Sequence, residues 1–208
     1  HDPSWLKNYD EQIIKKKQAT LPAEISRRVE EMAIEINELS RMTKNVLDLT
    51  RLQSEDLSAR MSLGQIDQIV QTAIQRVKES ALLHGLKISI DTPATPPVNH
   101  DPYLLERILD NLLVNAVKYS VENGTLVVKI VEDESFVKVC VENTGAVIPA
   151  TERDKIFEKF YRISNETDVP GTGLGLYLVR QFILMMGGRA WVEETADGNR
   201  FVITLPLG

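Results

Sequence analysis

The chain has 208 residues, 43% apolar content, a formal net charge of −6 and an isoelectric point near 5.2. That length and composition suit one globular domain with an appendage, and the acidic balance excludes a nucleic-acid surface, which needs clustered Lys and Arg to displace counterions. The Lys15-Lys16-Lys17 run reads as a solvated helix face, no stretch reaches the ~18 apolar residues of a membrane span, and no signal peptide is visible.

Trp5 to Lys17 reads as a short polar helix, joined through Ala19-Thr20-Leu21-Pro22 to a second one whose first turn suits proline. From Pro22 to about Gln53 neither Pro nor Gly interrupts the chain, and Ile25, Val29, Met32, Ile36, Leu39, Val46 and Leu49 recur at the steps of a bundle seam. A helix of about thirty residues spans about 45 Å, too long for the interior of a small domain. The expectation is an antiparallel hairpin whose seam pairs with a second copy in a dimeric four-helix bundle; the alternative is that the hairpin folds onto its own globular part.

After Ser54-Glu55-Asp56 the pattern changes to short strands and helices, so residues 1–56 form the hairpin region and 57–208 a second domain. A strand is predicted near Ala59–Leu63, a helix from Asp67 to His84 stopped by Gly85, and a strand at Leu86–Ile90. The linker Thr92-Pro93-Ala94-Thr95-Pro96-Pro97 leads to Asp101-Pro102, an N-cap with proline at the first helical position, opening a helix to Tyr119. Strands follow at Leu126–Val131 and Phe136–Val141, with Glu132-Asp133-Glu134-Ser135 as the hairpin turn between them. The single cysteine, Cys140, lies in the second strand, which predicts a buried thiol, no internal disulfide and a reducing, cytoplasmic setting. A short helix near Thr151–Phe157, an irregular segment Ile163–Thr172, a helix after it, and strands at Trp191–Glu193 and Arg200–Thr204 complete the chain. The predicted class is α+β: a helical hairpin, then an α/β sandwich with one mixed sheet and helices on one face. His84, at a helix end, and His100, in the turn before Asp101, read as surface or capping residues.

Two patterns carry chemistry. Pro170-Gly171-Thr172-Gly173-Leu174-Gly175-Leu176 places glycines at alternate positions before an apolar helix, so backbone N–H groups can approach an anion with no side chain in the way. On the helix from Asp101 to Tyr119, Asn111, Asn115 and Lys118 fall at i, i+4 and i+7 and share a stripe, while Leu105, Ile108, Leu109, Leu112, Leu113 and Ala116 make the buried face. Amide oxygens are hard donors for Mg²⁺ and lysine is a point charge for phosphates. Singly, each pattern also fits a structural turn or a solvated polar face; together they describe a nucleotide site.

These residues resemble the catalytic part of bacterial sensor histidine kinases, in the superfamily that also holds gyrase, a heat-shock chaperone and the MutL repair proteins. The family's motifs match in order: the Asn-rich helix at Asn111 to Tyr119, the strand-and-turn motif at Asn143-Thr144-Gly145-Ala146-Val147, the aromatic motif at Phe157-Glu158-Lys159-Phe160-Tyr161-Arg162, and the second glycine motif at Gly171 to Gly175. The resemblance implies ATP bound with Mg²⁺ near Asn115 and Asn111. It puts phosphates near Lys118, Arg162 and the backbone of Gly171, Thr172, Gly173, Leu174 and Gly175, with Tyr119 beside the nucleotide and Asn143 and Gly145 at the adenine. The segment Ile163–Thr172 would be a mobile lid. Two positions depart from the family pattern: Asn143 stands for the usual adenine-binding aspartate, which predicts weaker ATP binding by on the order of 1–2 kcal/mol, and Val147 stands for a glycine, which predicts an altered pocket. Hydrolysing members of the superfamily place a glutamate where this chain has Asn111, and Asp110 lies about 100° round the helix, so transfer to a protein side chain is favoured over hydrolysis.

The same resemblance makes His1 the phosphoacceptor, with Asp2 orienting its ring, because a His-acidic pair opens the family's hairpin and Thr50-Arg51-Leu52 resembles its end. Pro3-Ser4-Trp5-Leu6 departs from the basic residue, Thr or Asn, and Pro expected there, so the first helix reads as truncated or rewritten, and His1 also stands where cloning remnants occur. The implied activity is autophosphorylation within a homodimer, followed by transfer to an aspartate of a response-regulator receiver domain. The alternative is a degenerate pseudokinase acting as a dimeric signalling module. No nucleic acid is expected as a partner, and membrane attachment is expected only through segments absent from this chain.

Overall fold

An uninterrupted helix, α1, runs from Ala23 to Gln53, with Glu24 in its first turn and Arg51 in its last, each charge opposing the helix dipole at that end. The computed structural model describes residues 23–54, 57–163 and 171–207; the Trp5–Lys17 helix, His1 and Asp2 lie outside them. The chain divides into two compact units between Lys44 and Asn45. Along the first unit's part of α1 the seam is open to solvent: Met32, Ile36 and Leu39 are 59%, 63% and 66% exposed. In the second unit, Leu49 is buried.

The second unit is built on a mixed five-stranded sheet. Its strands are β2 (Lys87–Asp91), β4 (Thr125–Glu132), β5 (Phe136–Thr144), β6 (Arg189–Glu194) and β7 (Gly198–Pro206), in the order β2-β4-β5-β7-β6. β2 runs parallel to β4 and the other pairs are antiparallel. Cross-strand register sets Val128 beside Val141 and Phe201, and Ile130 beside Val139 and Ile203, so one face is continuously apolar. Three helices cover that face: α2 (Asp67–Leu83), α3 (Pro102–Lys118) and α4 (Gly175–Met185). On the opposite face Arg200 bridges its neighbours Glu142 at 2.8 Å and Glu193 at 3.3 Å. Cys140 is buried in β5, and burial pushes its thiol above its ordinary pKa.

Helix boundaries follow the sequence signals. Asp101 caps α3 by accepting from the Leu104 N–H at 3.1 Å, with Pro102 at the first position, and the same carboxylate accepts from the Arg60 N–H at 2.7 Å. α2 ends at Gly85, whose φ of +69° lets Leu86 N–H reach back to the Ala81 carbonyl at 2.9 Å.

Three expectations need correction. A strand, β3 (Val98–His100), occupies what reads as linker and turn, and pairs antiparallel with β1 (Ser62–Gly64) in a separate two-stranded sheet. His100 is accordingly not a surface residue: it is 2% exposed, and its Nδ1 hydrogen-bonds the Val98 carbonyl at 2.9 Å. The predicted helix at Thr151–Phe157 reduces to a 3₁₀ turn at Lys155–Phe157 after a run of turns.

Candidate functional site

The site grows from one stripe of α3 and the glycine segment laid along it. A Cβ added to Gly171 would stand 3.5 Å from Lys118 Nζ, and one added to Gly175 would stand 3.0 Å from Asn111 Oδ1. The two contacts lie seven residues apart on α3, about 10 Å of helix, so Gly171 to Gly175 runs antiparallel to the Asn111–Asn115–Lys118 stripe. Gly173 sits between them at φ +69°, and its carbonyl accepts from the Phe160 N–H at 3.0 Å. Thr172 Oγ1 accepts from the Leu174 N–H at 3.4 Å, and α4 starts at Gly175, so its N-terminus opens beside the stripe.

Arg162 joins this end of the site by donating from Nη1 to the Gly171 carbonyl at 3.3 Å. The aromatic motif that carries it is pinned one residue earlier, where the Tyr161 hydroxyl donates to the Glu152 carboxylate. That bond, followed by the one from Lys155, holds the Glu152 carboxyl below its ordinary pKa. Phe160 has φ +65°, an outlier for a bulky side chain, and its ring lies exposed under Lys159 Nζ at 5.1 Å.

Tyr119 follows Lys118 as the C-cap of α3. Its carbonyl accepts from Asn143 Nδ2 at 3.4 Å, which turns the Asn143 amide oxygen away from Tyr119. Gly145 is required by closeness, since an added Cβ would lie 2.3 Å from the Tyr119 carbonyl oxygen. Asn199, which sequence reasoning missed, holds the turn after it: Oδ1 accepts from the Ile148 N–H and Nδ2 donates to the Ala146 carbonyl, both at 2.8 Å. Val147 is 41% exposed on this turn.

Asn111, Asn115, Lys118, Tyr119, Asn143, Gly145, Arg162 and Gly171 to Gly175 are thus drawn from α3, β5, the aromatic motif and the start of α4. The phosphate half fits its expected ligand: glycine backbone abuts a lysine ammonium and a helix N-terminus. The donors expected for Mg²⁺ fit less evenly. Asn115 is half-buried on the stripe, whereas Asn111 is 1% exposed with both ends of its amide engaged. Nδ2 donates to the Arg107 carbonyl at 2.9 Å and Oδ1 accepts from Asn45 Nδ2 at 3.3 Å. Asp110 points off the stripe and pairs with Arg76 of α2 at 2.9 Å, as its position round the helix predicts. Asn45 was not legible as part of this neighbourhood, because it lies 66 residues from Asn111 and no local period links them.

Residues 100–208 match the family described as histidine kinase-, DNA gyrase B-, and HSP90-like ATPase. The chain is 31% identical to the adaptive-response sensory kinase SasA of Gloeothece citriformis, over 81% of this chain and 44% of that protein. It is 30% identical to the sensor protein KdpD of Escherichia coli, over 87% of this chain and 20% of that protein. Its structure resembles the mycobacterial sensor histidine kinase MprB with a TM-score of 0.63 at 27% identity, covering 70% of this chain and 97% of that one. The chain spans less than half the length of these two curated relatives. No helix among the described residues is long and apolar enough to cross a membrane.

Proposed function

The chain belongs to the histidine kinase-, DNA gyrase B- and HSP90-like ATPases, and on that premise we propose that it is the ATP-binding and phosphoryl-transferring part of a sensor histidine kinase. The observation that carries the reading is the antiparallel run of Gly171 to Gly175 along the Asn111–Asn115–Lys118 stripe. ATP is the substrate. Its triphosphate would lie against Lys118, Arg162 and the glycine backbone, and its adenine between Tyr119, Asn143 and Gly145. Asn115, and Asn111 when its oxygen is free, would hold Mg²⁺, which when bound neutralises phosphate charge.

The residues favour transfer over hydrolysis. An amide at position 111 cannot take a proton from water, and the neighbouring Asp110 is tied to Arg76. A histidine ring nitrogen attacking the γ-phosphorus forms the N–P bond as the bond to the β-phosphate oxygen breaks, and ADP leaves; the protein's part is positioning and charge neutralisation. His1, oriented by Asp2, is the acceptor this reading assigns, with onward transfer to a receiver-domain aspartate. The solvent-open seam of α1 supports pairing with a second copy. The alternative of an inert dimeric module draws no support from relatives that carry the names of kinases.

Incubation with γ-labelled ATP and Mg²⁺ tests the transfer step. The expected result is an acid-labile, base-stable label on the protein that disappears in His1→Ala. Label that persists in His1→Ala would move the acceptor elsewhere, and absence of label from a protein that binds ATP would refute autophosphorylation by this chain.

A further inference from the structure

Around Asn111 lies a buried polar group whose other members phosphoryl transfer does not use. Asn45, Asp48, Arg107 and Asn111 are 0%, 2%, 7% and 1% exposed, and Tyr103 closes the group at its rim. Arg107 Nε donates to Asp48 Oδ2 at 2.8 Å and Arg107 Nη2 donates to Asn45 Oδ1 at 2.8 Å. The Tyr103 hydroxyl donates to Asp48 Oδ1 at 3.1 Å, and Asn45 Nδ2 donates to Asn111 Oδ1 at 3.3 Å.

Chemistry fixes both amides. A guanidinium carries only donors, so Asn45 must face Arg107 with its oxygen, and its NH₂ is left to face Asn111. Asn111 gives its own NH₂ to the Arg107 backbone carbonyl, so its oxygen is the only atom it can offer Asn45. That oxygen is therefore bonded by Asn45, and it faces Gly175, where an added Cβ would stand 3.0 Å from it. It is also the oxygen that a metal held with ATP phosphates would need from Asn111.

We propose that Asn45 is a positioning residue for the nucleotide site: in the state seen here it withholds the Asn111 oxygen from Mg²⁺, and movement of the last turns of α1 releases it. The inference rests on the nucleotide reading of the stripe and adds to it a route of control from α1. The contacts are graded for such a role. The Asp48–Arg107 pair is charged, short and buried, and anchors α1 to α3. The Asn45–Asn111 bond is neutral and the longest of the set, so it is the one that breaks first when α1 shifts. An effect carried along α1 thereby reaches a metal-binding amide through one side chain.

The test is titration of ATP with Mg²⁺ and with the metal chelated, on the wild type, Asn45→Ala, Asn111→Ala and the double variant. Asn45→Ala should tighten Mg²⁺-dependent ATP binding by about threefold to tenfold, the scale of one neutral hydrogen bond, and leave metal-free binding unchanged. In the Asn111→Ala background the same substitution should have no effect on the metal dependence. A merely structural role would change both titrations together, or leave the metal dependence alone, and either result overturns the proposal. Asn45→Ala strips a buried guanidinium of an acceptor, so Asn45→Ser, which keeps a short one, is measured in parallel and alone if the alanine variant does not fold. Asn115→Ala separates the two claims. If it too leaves Mg²⁺-dependent binding intact, the nucleotide reading fails; if it abolishes that binding while Asn45 substitutions do nothing, only the proposed control by Asn45 fails.

Discussion

Gly173 shows how much of the site is backbone. Its φ of +69° costs any other L-residue about 1–2 kcal/mol, and a Cβ would also stand 2.6 Å from the Phe160 carbonyl carbon, an atom of the main chain that cannot yield cheaply. Gly173→Ala should therefore displace the backbone of Gly171 to Gly175 and, if those amides hold the phosphates as proposed, weaken ATP binding by about tenfold or more, measured by titration, with a helix content unchanged by circular dichroism. Unchanged affinity would mean that this turn does not touch the nucleotide. The need for glycine here is readable from the alternating Gly171, Gly173 and Gly175 alone. What the chain did not reveal at this scale is the buried state of His100 or the partner of Asn111. Both depend on residues distant in sequence: Asn45 for the amide, and the β1 strand across from His100.

At the scale of elements, α2, α3 and α4 were legible because each combines an apolar period with a cap or breaker: Gly85 after α2, Asp101-Pro102 before α3, the glycines before α4. The three residues of β3 escaped because three positions show no alternation and Pro96-Pro97 immediately precedes them. The join between α1 and α3 stood only as the alternative that the hairpin folds onto its own globular part, and the residues that make it were hidden because Asp48 and Arg107 lie 59 residues apart. That join makes a pH-dependent prediction. Burial first, then the charge of Asp48 and the hydrogen bond to it, hold the Tyr103 hydroxyl above its ordinary pKa of 10.0. The folded state thus keeps this proton more tightly than the unfolded chain does. The stability it contributes is complete below the unfolded pKa and is lost as pH rises through the folded one. Denaturant melts of wild type and Tyr103→Phe should differ by a constant amount from neutral pH to about 9, and the difference should shrink above about 10. A difference independent of pH would show that Tyr103 does not serve Asp48 in the folded protein.

For the whole molecule, the sheet order, the three covering helices and the ordered motifs make the chain a member of its ATPase family, and the mixed-sheet class was legible from strand and helix alternation. Pairing with a second copy rests on the apolar seam alone, which is open on α1 at Met32, Ile36 and Leu39. The central claim is that the stripe on α3 is a Mg²⁺-dependent ATP site. Titration of ATP into wild type and Asn115→Ala, each with and without Mg²⁺, tests it most directly. The account predicts that wild type gains affinity when the metal is present and that Asn115→Ala loses this gain while melting at the wild-type temperature. Equal Mg²⁺-dependent affinity in the two proteins would contradict it.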